Sequence, residues 1–177
     1  MDKKSQSDCI EEYPLKYVFI QNILFIATII LGAMAIYPFS IIFSVIYVGL
    51  YLMLIMMSIR LRCSYCYYCG KRCYSGWGKI AGFSFKRGNN KEFNNPGNYG
   101  IVAFLSSVLL LAPIMLGILT LILAFSIPAL LLIIAYCVVA FTPNYFFKGK
   151  TCQMCKQGQL GCPAARKLQK SNEKKQE

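Results

Sequence analysis

Two long blocks of this chain carry no charged side chain. Neither Tyr17–Ile59 nor Gly100–Tyr145 holds a single Lys, Arg, Asp or Glu. The chain as a whole is 56% hydrophobic yet carries a formal charge of +12, so it must keep its apolar and charged residues apart in space. An α-helix rises about 1.5 Å per residue, and about 20 apolar residues therefore cross a hydrocarbon layer of about 30 Å. Each block is about twice that length and reads as two helices joined by a turn, since lipid offers no partner for unpaired backbone groups. The expected fold class is an all-α integral membrane protein with four transmembrane helices, arranged as two tandem helical hairpins.

Pro38 breaks the first block and can open a new helix, which predicts helices over 17–37 and 39–59. Pro113 and Pro128 interrupt the second block. Pro128 stands 90 positions after Pro38, which puts the turn at Ser126-Ile127-Pro128 and predicts helices over 101–125 and 128–142, with Pro113 a kink. The chain then divides into an N-terminal arm (1–16), a first hairpin (17–59), a Cys-rich basic loop (60–99), a second hairpin (100–145) and a Cys-containing basic tail (146–177). All nineteen Lys and Arg lie in the arm, the loop and the tail. The positive-inside rule therefore places both termini and the loop in the cytoplasm of a multi-pass cell-membrane protein. Asp8, Glu11 and Glu12 argue against reading the first span as a cleaved signal.

The polar arm is expected to be disordered, and 86–99, rich in Asn and Gly, to be turns without a core. Gln21 and Asn22 read as amides reaching headgroups or a neighbouring helix. The aromatic and basic residues of 77–85 suit a membrane surface.

Seven of the nine cysteines are clustered. Cys63, Cys66, Cys69 and Cys73 have the spacing C-x2-C-x2-C-x3-C. Cys152, Cys155 and Cys162 repeat three of those positions at an offset of 89, with Gly158 where a partner of Cys69 would stand. Each hairpin is thus followed by a cysteine motif, a parallel pseudo-repeat whose axis along the membrane normal would bring both motifs to one face. In a reducing cytoplasm such thiols are metal ligands more readily than disulfides.

The run Cys63-x2-Cys66-x2-Cys69-x3-Cys73 resembles the motif with which bacterial ferredoxins bind [4Fe–4S] clusters. Tyr74 follows Cys73 where that pattern has Pro, whereas Pro163 follows Cys162. In two-cluster ferredoxins the fourth Cys serves the other cluster, so the resemblance implies Cys63, Cys66 and Cys69 with Cys162 around one cluster. Cys73, Cys152 and Cys155 would form a degenerate second set. Cys66-Tyr67-Tyr68-Cys69-Gly70-Lys71 also looks like a zinc knuckle that Cys152 and Cys155 could complete, and S-acylation of juxtamembrane cysteines is a third reading.

The chain has no His, which removes bis-His haem and imidazole catalysis. The charge-free blocks hold no proton relay, and paired carboxylates for hydrolysis are missing, so no catalytic residue is assigned. The expectation is an electron-transfer or membrane-anchoring subunit carrying an iron–sulfur site. Its partners would be the bilayer and a cytosolic redox protein. The alternative is a non-enzymatic scaffold whose zinc site docks a cytosolic protein. Nucleic acid is not an expected partner, because membrane topology already accounts for the charge. Cys137 reads as packing.

Overall fold

A computed structural model describes residues 10–89, 92–94, 96–143, 151, 154–160 and 162. Its elements are α1 (Leu15–Ile36), α2 (Ile41–Leu61), α3 (Trp77–Ser84), α4 (Pro96–Leu123), α5 (Ile127–Thr142) and α6 (Lys156–Gln159), with single 3-10 turns at Cys63–Tyr65 and Glu92–Asn94. Among the described residues there is no strand beyond one isolated bridge between Ile10 and Cys155. Helices α1, α2 and α4 are long and apolar enough to cross a bilayer. With 16 residues α5 is shorter, about 24 Å at the usual rise.

The four apolar helices close on one another. α1 packs against α2, α4 and α5, α2 against α4, and α4 against α5. Their outward faces stay apolar, with Phe19, Ile23, Ile26 and Ile30 exposed along α1, as expected of helices solvated by lipid. The inner faces build a core from Ile36, Tyr47, Tyr51, Leu54, Val102 and Leu109. The Thr28 and Thr120 hydroxyls bond back to their own helices, at the Leu24 carbonyl (2.8 Å) and that of Leu116 (2.9 Å), which satisfies them without a partner helix.

The turns fall where the prolines predict. Tyr37–Ser40 joins α1 to α2, with the Phe39 and Ser40 N–H groups both donating to the Ile36 carbonyl, and the Ser44 hydroxyl ties α2 to the Ala33 carbonyl at 2.9 Å. Ser126 occupies the N-cap position of α5, with Pro128 in the first turn. Pro113 lies within α4, which runs unbroken around it. Pro113 cannot donate to the carbonyl one turn back; beside that gap the Tyr136 hydroxyl of α5 donates to the Leu110 carbonyl at 2.8 Å.

Two expectations are overturned. The arm is not disordered from Ile10 onward: Tyr13 is buried, and the Ile10 N–H donates to the Met154 carbonyl at 3.0 Å. Nor is 86–99 without a core. Phe93 is buried under Arg62, which also stacks over Tyr99 with its guanidinium 4.8 Å from the ring centre, and α4 starts at Pro96 rather than at 101. Both misreadings have one cause, since polar residues can be ordered by contacts distant in sequence.

Gly32 lets α1 meet α2 closely, because a Cβ there would overlap the Tyr47 hydroxyl oxygen and lie 2.8 Å from Cζ. Gly32→Ala should therefore cost about 1–3 kcal/mol, read as a lower thermal midpoint in detergent. Adding Tyr47→Phe, which removes the overlapping atom, should recover part of that loss. A Gly32→Ala protein as stable as the parent would contradict this packing.

Candidate metal centre

The thiol-bearing loop is a sequence of short turns against a glycine-faced helix. Beyond α2 the Cys66 N–H donates to the Cys63 carbonyl (3.3 Å) and the Cys69 N–H to that of Cys66 (3.0 Å). Gly70 follows with φ of +83°, a left-handed conformation that Gly adopts without steric cost, and its N–H donates to the Gly78 carbonyl at 2.8 Å. Helix α3 lies so close that a Cβ at Gly78 would overlap the Tyr68 carbonyl, and one at Gly82 would lie 2.5 Å from Gly70 Cα. Between them Ala81 is 0% exposed. At the start of α3 the Gly78 N–H donates to Cys73 Sγ at 3.2 Å.

The loop is seated on α1. The Tyr74 hydroxyl donates to Gln21 Oε1 at 2.7 Å, Asn22 Nδ2 to the Ser75 carbonyl at 3.1 Å, and the Trp77 ring meets Phe25 edge-on with centroids 6.0 Å apart. Gln21 and Asn22 thus hold the thiol loop, a role their positions in an apolar helix did not announce.

Arm and tail close over the loop through side chains that motif reading passes over. Tyr68, 2% exposed, donates its hydroxyl to the Ile10 carbonyl at 2.6 Å and accepts from the Lys156 N–H at 3.2 Å. The Tyr13 hydroxyl donates to the Thr151 carbonyl (2.9 Å), and the Tyr67 N–H to Gln157 Oε1 (2.7 Å). At the rim Glu12 pairs with Arg72 at 2.8 Å and Glu11 with Lys156 at 3.4 Å, exposed contacts that add little stability.

Loop and tail thiols become electrostatic neighbours. Burial pushes Cys63 up to about 12, with further contributions from Cys73, Cys66 and Cys69. Burial likewise pushes Cys66 up to about 12, reinforced by Cys155, Cys73 and Cys162 and opposed by a backbone hydrogen bond from Tyr68. Cys155 is raised by burial and by Cys162, against hydrogen bonds from the Gly158 and Gln157 N–H groups. Six of the seven cysteines singled out by spacing (Cys63, Cys66, Cys69, Cys73, Cys155 and Cys162) therefore belong to one connected set, while Cys152 lies outside the described residues. Cys137 belongs to α5, away from the loop and the tail. No three thiols or carboxylates among the described residues converge closely enough to hold one ion, and all the described cysteines are free thiols.

Comparison with known protein families, with curated proteins and with solved structures finds no match, so the chemistry of these side chains is the basis for function. Thiols pushed from about 9 to about 12 hold about a thousandfold less thiolate at neutral pH, and thiolate is the nucleophile. Alkylation of Cys63 and Cys66 in metal-free protein should therefore be slower than in the unfolded chain by about tenfold or more, the greater nucleophilicity of a higher-pKa thiolate offsetting part of its scarcity, and should keep rising with pH well beyond 9. Peptide mapping after timed labelling reads this directly; equal rates in the folded and unfolded chains would contradict the burial.

Proposed function

We propose that this chain is a multi-pass membrane protein that holds a cysteine-ligated iron–sulfur centre at the cytoplasmic face of the bilayer, acting as an electron-transfer or membrane-anchoring subunit for a cytosolic redox partner. The observation that carries the reading is the company of Cys66, whose thiol is perturbed by Cys73 from its own loop and by Cys155 and Cys162 from the tail. Cys155 and Cys162 are far from Cys66 in sequence and have no local reason to meet it.

The side chains fit such a group. The donor set is purely sulfur, as soft metals prefer. Backbone N–H groups already serve three of the sulfurs, from Tyr68 to Cys66, from Gln157 and Gly158 to Cys155, and from Gly78 to Cys73, and such donors favour the thiolate form. Gln157 is 2% exposed, and its Nε2 has no partner among the described residues while its Oε1 is taken by Tyr67. A buried donor without an acceptor is costly, and a metal-bound thiolate or sulfide would relieve it. Arg62, Lys71 and Lys156 supply positive charge around an anionic centre.

Cys63, Cys66, Cys69 and Cys162 would hold the cluster, with Cys73, Cys152 and Cys155 as the incomplete second set. A bound cluster supplies one-electron transfer; the chain orients the sulfurs, excludes water and releases the thiol protons as metal binds. Four apolar helices paired as α1 with α2 and α4 with α5, with α2 meeting α4 and α1 meeting α5, have the pattern a twofold axis along the membrane normal would generate. That pattern supports the tandem-hairpin arrangement.

The Cys66–Gly70 turn, with positive φ at Gly70, favours a second reading, a zinc knuckle in a non-enzymatic scaffold that docks a cytosolic protein. Protein purified anaerobically should be brown, with broad visible absorption and roughly four irons per chain. Cys66→Ser should abolish the metal and Cys137→Ser should leave it unchanged. Colourless protein with stoichiometric zinc would replace the first reading by the second, and equal metal loss in the two variants would contradict the assignment of ligands.

A further inference from the structure

Helix α3 has two faces of opposite character, and only one has a partner in the chain. Gly78, Ala81 and Gly82 face the Cys66–Lys71 turn. On the other side Phe83 is 95% exposed and Ile80 50%. No large hydrophobic side chain among the described residues is more exposed than Phe83, the lipid-facing residues of the spans included. Phe83 and Ile80 stand one turn apart and so form a small apolar face that no described residue covers.

The position of α3 says what covers it. Its N-terminal end lies along the first turns of α1, where a Cβ at Gly76 would press on Val18 and Trp77 meets Phe25. Ala81 packs with Ile59 of α2, and Ile55 lines the same cluster. The two helices against which α3 packs present Phe19, Ile23, Met53 and Met56 outward, so Ile80 and Phe83 stand beside helices whose own outer surface is apolar. Lys79, Lys86 and Arg87 are exposed around it, and no Asp or Glu occurs between Glu12 and Glu92.

We propose that α3 is an in-plane membrane anchor. Ile80 and Phe83 insert among the acyl chains beneath the headgroups of the bilayer that holds the spans, and Lys79, Lys86 and Arg87 take the phosphates of its anionic lipids. The inner face of α3 is welded by its glycines to the Cys66–Lys71 turn, so lipid holds the thiol loop at the headgroup plane from one side while α1 holds it from the other. The anchor stands whether or not the cysteines bind metal.

The test is a fluorescence measurement on the full chain. Phe83→Trp adds an indole at a site open enough to accept it, and subtracting the parent spectrum removes Trp77, the one native tryptophan. In vesicles of phosphatidylcholine and phosphatidylglycerol with brominated acyl chains, the added emission should be blue-shifted and quenched several-fold more by bromine than by aqueous acrylamide. Replacing Lys79, Lys86 and Arg87 together by Gln should lower the bromine quenching to the level seen in phosphatidylcholine alone. Quenching by acrylamide without quenching by bromine would overturn the proposal, because the face would then look into water. Protection from both quenchers that disappears as protein is diluted in lipid would overturn it in favour of a second copy of this chain.

Discussion

The hydroxyl of Tyr68 joins three stretches of chain that share no local reason to meet. It donates to the arm at Ile10 and accepts from the tail at Lys156, while its own backbone belongs to the turn between Cys66 and Cys69. A buried hydroxyl must keep its partners, and at about 0.5–1.5 kcal/mol for each net hydrogen bond the pair ties arm and tail to the loop. The glycines make this possible. Gly78 and Gly82 bring α3 against the turn, and Gly70 takes the backbone conformation that lets the turn close. Side chains at Gly78 and Gly82 would push α3 outward and withdraw the surface on which the turn rests, whereas one at Gly70 would meet no neighbour but would strain the backbone.

The thiols gathered by this junction are in electrostatic tension. Burial favours the neutral thiol, and each neighbouring sulfur makes the thiolate harder still to form. Backbone N–H groups act the other way, as does Arg62 at Cys63. Without metal the first influence wins for Cys63 and Cys66, whose values are raised in the fold above their unfolded ones. The stability this contributes is present in full below about pH 9 and is lost as pH rises towards 12. A soft cation reverses the balance, because it favours thiolate outright and needs the N–H donors that are already in place.

What the residues reveal unaided differs between the membrane part and the thiol module. The apolar helices are legible because charge exclusion and length act on each segment separately, and Pro38 and Pro128 lie at the breaks between them. The 89-residue offset relates loop and tail thiols in the sequence, and in the fold Cys66 feels Cys155 and Cys162 electrostatically. The module's supports were not legible, because each depends on a contact across many residues. Nothing near Gln157 says that its amide will meet Tyr67, or that Tyr13, in a polar arm, will be buried. Gln21 and Asn22 are ordinary polar residues near the end of an apolar helix by sequence, and only the fold sets Tyr74 and Ser75 against them. Glycine spacing in α3 is a cue that could have been read, since Gly78 and Gly82 stand one turn apart and invite close backbone approach.

The central claim is that loop and tail share one side of the bilayer and meet there. Sealed vesicles of known orientation, treated with a membrane-impermeant amine reagent and mapped by peptide mass, test it at Lys79 in the loop and Lys156 in the tail. Both lysines should be modified only in vesicles that expose the cytoplasmic face. Modification of the two from opposite faces would contradict the account.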